Sequence, residues 1–109
     1  MIFKFDEMET QTLENFKGGE KHLSAKMFFD GNNRIMKGTL CPGASIGMHT
    51  HEGNCEVFYI LEGNGKVIYD GKEEKLSQGM AHYCPEGHSH SLINDSESDL
   101  VFFAVIPKQ

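Results

Sequence analysis

Residues 43–63 read GASIGMHTHEGNCEVFYILEG, and the alternation within this stretch sets the fold class of the chain. At its centre, His49-Thr50-His51 places two imidazoles at i and i+2. On a strand such residues share one face with Cα atoms about 6.5–7 Å apart, and both rings can converge on one ion at bonds of about 2.1 Å. Across a Gly53-Asn54 turn that folds the chain back, Glu56 opens a second strand with the same-face set Glu56, Phe58 and Ile60. A carboxylate heading an apolar inner face needs a cation or a hydrogen-bond donor, because leaving it bare costs on the order of several kcal/mol.

Short β-prone runs and turn signals continue on both sides. Leu23–Phe29 gives way to Asp30-Gly31-Asn32-Asn33 and then to Arg34–Cys41. Val57–Leu61 leads into Glu62-Gly63-Asn64-Gly65, and Lys66–Tyr69 leads into Asp70-Gly71. An Asp-Gly pair between β-prone residues suits a type I′ hairpin, whose two central positions take φ > 0. Gly79, Pro85-Glu86-Gly87 and Asn94-Asp95-Ser96 divide the second half, and Leu100–Ile106 stops at Pro107. The pattern predicts an all-β sandwich or barrel. The only helix expected is one short turn within Asp6–Phe16, where Met8, Leu13 and Phe16 form a broken stripe.

At 109 residues and 12.2 kDa the chain holds one core, so residues 1–109 read as a single domain. Ten basic against sixteen acidic side chains give a net charge of -6, which argues against nucleic acid and anionic membranes as partners. The longest apolar run, Leu100–Ile106, is far short of the roughly 20 residues that span a bilayer. The N-terminal MIFKFDEMET has neither a basic n-region nor a cleavage site, and three cysteines without a CxxC suit a reducing compartment. The expectation is a cytoplasmic protein.

Six histidines, His22, His49, His51, His82, His88 and His90, carry the chemistry. An isolated H-x-H pair reads equally well as two solvent-facing imidazoles. Glu56 and a third histidine, His90, which could close a site from a neighbouring strand, move the reading towards a metal, but spacing alone leaves both open. Residues 43–63 follow G-x5-H-x-H-x4-E-x6-G, and 79–94 (GMAHYCPEGHSHSLIN) follow G-x5-P-x-G-x2-H-x3-N. With every fixed position filled, these resemble the two motifs of the cupin superfamily, and the chain is similar to its small single-domain members.

The resemblance implies a double-stranded β-helix, or jelly-roll barrel, with a metal inside. It implies His49, His51, Glu56 and His90 as ligands, turn roles for Gly43, Gly63, Gly79 and Gly87, and structural roles for Pro85 and Asn94. Three nitrogens and a carboxylate suit one divalent first-row ion, Mn, Fe, Ni, Zn or Cu, and not calcium. Cupins include dioxygenases, decarboxylases, isomerases, sensors and metal-free storage proteins. The intact ligand set weighs against the last.

Several residues depart from family patterns. Oxalate-decarboxylating members carry an arginine shortly before the histidine pair, where this chain has Ile46, Gly47 and Met48. The sole arginine, Arg34, lies near a turn, so no guanidinium clamp is expected, and oxalate and phosphosugar chemistry are disfavoured. His82, a weak candidate among several for proton transfer, reads as a hydrogen-bonded filler rather than a cavity base, and one of Tyr59, Tyr69 and Tyr83 could offer its hydroxyl to a ligand. His88 is placed at a rim, and Cys55 reads as packing. Met48 is expected to face away from the ligands.

The primary expectation is a metal-dependent enzyme of small molecules, its class unresolved among dioxygenase, isomerase and decarboxylase, with an oxidoreductase or isomerase favoured. The alternative is a module that binds or senses a small ligand without turnover. A homodimer is also expected, with Met27–Phe29 and Leu100–Ile106 covering open sheet edges.

Overall fold

A computed structural model describes residues 1–109. Ten strands make up nearly all of its regular structure: β1 (Gln11–Glu14), β2 (His22–Phe29), β3 (Asn33–Leu40), β4 (Ser45–Thr50), β5 (Glu56–Glu62), β6 (Asn64–Tyr69), β7 (Lys72–Ser77), β8 (Ala81–Cys84), β9 (Ser89–Ile93) and β10 (Leu100–Pro107). They form a six-stranded sheet, β1-β2-β3-β10-β5-β8, facing a four-stranded sheet, β4-β9-β6-β7, with every pairing antiparallel. This is the expected jelly-roll barrel. No helix is long and apolar enough to cross a membrane.

Period-2 patterning fixes which side chains turn inward. On β5, Glu56, Phe58 and Ile60 are buried while Val57, Tyr59 and Leu61 are exposed, as the sequence alternation predicts. Phe58, Phe102, Leu23, Leu40, Ile60 and Leu100 fill the centre between the sheets. Gly38 on β3 makes room for Phe102, since a Cβ there would lie 2.5 Å from the ring tip. Between β6 and β7 the two-residue turn has φ 47° at Asp70 and φ 82° at Gly71, the positive pair that a type I′ hairpin requires.

Two expectations need correction. The N-terminal region holds two 3-10 turns, Phe5–Glu7 and Phe16–Gly18, with β1 between them, rather than one helical turn. Residues 11–14 pair with β2 in the register Leu13↔Leu23, and that pairing satisfies a backbone whose apolar stripe is too broken for a helix. Leu100–Ile106 is not an edge either: β10 lies between β3 and β5. Its β-branched and aromatic run reflects burial within the sheet.

An apolar stripe crosses the outer face of the six-stranded sheet, beside Lys26 and Lys37. Tyr83, Val57, Val105, Ile35 and Phe28 follow one another across β8, β5, β10, β3 and β2. The N-terminal segment lays Phe3 on Phe28 and Phe5 near Phe103, at ring separations of 4.9 and 6.1 Å. Val57, Tyr59, Leu61 and Tyr83 remain exposed.

Candidate metal centre

Antiparallel pairing of β4 with β9 sets His49 directly opposite His90, after an irregularity in β4 between Ile46 and His49. His51 follows the end of β4, and Glu56 heads β5 in the facing sheet. One ligand atom from each of these four residues lies within 4.8 Å of the others. The structure therefore brings together the four residues that the two sequence motifs single out.

The three histidines are oriented by what their outer nitrogens do. His49 Nδ1 donates to the Gly47 carbonyl at 2.7 Å, and His51 Nδ1 donates to Asn54 Oδ1 at 2.7 Å. His90 Nδ1 meets His82 Nε2 at 3.1 Å. With each Nδ1 tied outward, each Nε2 is left to face the cluster. His51 Nε2 and His90 Nε2 are 3.0 Å apart, and Glu56 Oε1 lies 3.1 Å from the first and 3.0 Å from the second. Donors bound at about 2.1 Å at right angles around one ion would be about 3.0 Å apart, whereas tetrahedral donors would be about 3.4 Å apart. The donors of His51, His90 and Glu56 thus have the mutual spacing of one face of an octahedron, with His49 within 4.8 Å of them.

Electrostatics agree with this crowding of lone pairs. Burial pushes the Glu56 carboxyl up, but hydrogen bonds from His51 and His90 outweigh it and hold the group at about 2. Burial also opposes a charged His51, yet its bonds to Glu56 and Asn54 raise it above the ordinary imidazole value. His49 is lowered, burial outweighing the Gly47 carbonyl. The cluster keeps its carboxylate ionised and draws a proton onto an imidazole, a charge pattern able to accept a cation in the proton's place.

His49, His51 and Glu56 form the floor of a cavity of about 540 Å³ that opens between the sheets, while His90 lies behind them. Ile46, Met36, Met27, Ile106, Leu13 and Phe16 supply its apolar walls. On the opposite side of the cluster, towards Phe58 and Leu92, there is a void of only about 10 Å³, so a ligand can approach from one side alone.

The sequence matches the cupin domain family over residues 36–106. The chain is a cupin. Over 97% of its length and 93% of the relative's, it is 34% identical to an oxalate-binding protein of Thermotoga maritima. The crystal structure of a predicted oxalate decarboxylase from the same organism superimposes with a TM-score of 0.94 at 30% identity, with both chains fully covered. The cupin domain of Schizosaccharomyces pombe Cnp3 has a TM-score of 0.82 at 14% identity, covering all of this chain and 74% of that one, which shows the shared fold.

In this cupin the remaining sequence candidates fall outside the cavity. His82 is buried beneath His90, its ring stacked at 29° and 5.2 Å. Burial first, then the His90 charge, lower it to about 4, so it is neutral near pH 7 and accepts a hydrogen bond. His88 is at the surface, paired with Asp70 and 3.2 Å from the Tyr69 hydroxyl. Cys55 is buried packing, and Met48 is half exposed. Cys84, which the sequence reading passed over, is fully buried and its thiol is pushed up to about 11, chiefly by burial.

The expectation that no guanidinium is available needs correction. Arg34 lines the cavity of this cupin together with Lys17. Both precede the motifs, and the only sequence signal for Arg34 was its parity with Met36, Gly38 and Leu40 on β3.

Proposed function

We propose that His49, His51, Glu56 and His90 hold one divalent transition-metal ion, Mn, Fe, Ni, Zn or Cu, and that the cavity above binds a small carboxylate. The observation that carries this reading is the convergence of His51 Nε2, His90 Nε2 and one Glu56 oxygen at 3.0–3.1 Å from one another, with a His49 nitrogen within 4.8 Å. A bound ion of this kind would polarise a ligand oxygen as a Lewis acid. The protein's part is to fix three imidazole tautomers through Gly47, Asn54 and His82, and to shield the floor with Ile46, Phe58 and Leu92. The oxalate-binding relative supports a carboxylate ligand and makes oxalate the first compound to try.

Turnover on that carboxylate, of oxidoreductase or isomerase type, is the primary reading. The alternative, binding without turnover, is favoured by one observation. Beyond His49, His51 and Glu56, the titratable groups lining the cavity are Lys17, Arg34 and Glu52, and neither His82 nor His90 reaches it.

Elemental analysis of protein purified without added metal, beside a His51→Ala/His90→Ala variant, tests the centre. The wild type should carry about one equivalent of a single metal and the variant almost none. A wild type that holds less than roughly a tenth of an equivalent, not restored by any of the five ions, overturns the reading. Calorimetry with oxalate, followed by product analysis, separates turnover from stoichiometric binding.

We further propose a homodimer, formed through the exposed apolar residues Val57, Tyr59, Leu61 and Tyr83 in place of the segments Met27–Phe29 and Leu100–Ile106 first expected.

A further inference from the structure

The cavity carries charge that a metal centre does not use. Arg34 belongs to the inward-facing set of β3, and its half-buried side chain reaches the cavity wall. Its guanidinium carbon sits 4.5 Å from the centre of the Phe29 ring, and Nη1 lies 3.7 Å from the Met27 sulfur. A ring face and a thioether are weak partners: they hold the planar group in position and leave most of its N–H donors free.

Lys17 lines the same cavity from the turn Phe16–Gly18, near enough for its charge to oppose protonation of His51. Its backbone is fixed in place, and its exposed side chain sets Nζ 5.5 Å from the centre of the Phe16 ring. Gly19 and Gly47 abut without side chains, and a Cβ on Gly47 would lie 2.0 Å from the Lys17 carbonyl oxygen. The turn is thereby seated directly on the strand that carries His49.

Neither cation makes an ion pair within the protein. The cavity's one carboxylate outside the cluster, Glu52, is exposed and pairs with neither. Two unpaired cations on the wall of a recess are a recognition device for an anion, and the planar guanidinium is shaped for a carboxylate. Size points the same way, because a two-carbon dianion would leave most of the roughly 540 Å³ unfilled.

We propose that Arg34 and Lys17 form an anion subsite, so that the ligand is a dicarboxylate longer than oxalate, one end at the metal and the other against these two cations. This rests on the metal and carboxylate reading above. It adds a second point of recognition, contributed by residues that precede both motifs.

The test compares compounds of equal length that differ only in the distal charge. Mn-loaded protein is titrated calorimetrically with oxalate, malonate, succinate and glutarate, and with the half-amides malonamate, succinamate and glutaramate. The wild type should bind at least one of the longer dianions about tenfold or more tightly than its half-amide. An Arg34→Met/Lys17→Met variant should lose that preference while retaining its Mn stoichiometry, and Arg34→Lys/Lys17→Arg, which keeps both charges, should retain part of it. If the Met variant fails to fold, Arg34→Gln alone should reduce the preference.

A wild type that binds oxalate but does not distinguish dianions from half-amides overturns the subsite and leaves the metal-bound carboxylate standing. A preference that survives removal of both cations does the same. A wild type that takes up Mn but binds no carboxylate overturns both.

Discussion

His82 Nε2 lies 3.1 Å from His90 Nδ1, with both rings buried, so one histidine holds another in the tautomer that points its free nitrogen at the cluster. Replacing His82 by Leu should leave the His90 N–H without a partner and weaken Mn binding about 10- to 100-fold. His82→Gln, whose carbonyl oxygen can accept the same bond, should recover part of the loss. Competition titration against a chelator measures both. Equal affinity in the Leu variant would mean that His82 only fills space.

The pH of greatest stability should depend on metal. Glu56 is held at about 2, so its contribution is complete above the ordinary value of 4.5 and is lost as pH falls towards about 2. His51 is raised, so its contribution is complete below 6.5 and is lost as pH rises through its folded value. The two describe one coupled interaction, at its strongest between 4.5 and 6.5 in metal-free protein. A bound ion needs neutral imidazoles, so excess Mn should move the maximum of Tm above about pH 7. Melting curves across pH, with chelator and with Mn, check this, and parallel profiles would contradict it.

Gly38→Ala should destabilise the barrel by about 1–3 kcal/mol, because the new methyl would meet the Phe102 ring in a core that leaves it no free rotamer. Urea denaturation gives the value directly. Pairing the change with Phe102→Leu should return part of the loss, which a purely conformational effect of alanine would not.

Light scattering at micromolar concentration should give twice the 12.2 kDa chain mass. Val57→Lys/Tyr83→Lys, which puts charge on the exposed outer face, should shift the mass towards that of one chain without altering metal content. A wild type that scatters as 12.2 kDa contradicts the dimer.

The barrel and the floor of its cavity were legible because both rest on local rules. Alternation placed Glu56, Phe58 and Ile60 on one face, the Asp70-Gly71 pair specified its own turn, and the two motifs carried the four cluster residues. The walls were not legible. Arg34 reaches the cavity only because β3 pairs with β10 in the register Arg34↔Ile106, a contact 72 residues long in sequence that no local pattern reports. Lys17 depends on a turn with left-handed backbone at Asn15, a residue type that tolerates it, and at Lys17, a type that gives no such signal. The strand status of residues 11–14 was hidden for a related reason, since Leu13 opposite Leu23 is the only apolar pairing in it.

The seam between Gly19 and Gly47 has one more consequence. Backbone rests on backbone there, with no side chain between them to compress or rotate. The turn that brings Phe16 and Lys17 to the cavity is therefore held against β4 by its main chain alone, and its height over His49 is set without any side-chain rotamer. A larger residue at position 19 or 47 would lift that part of the wall as a unit.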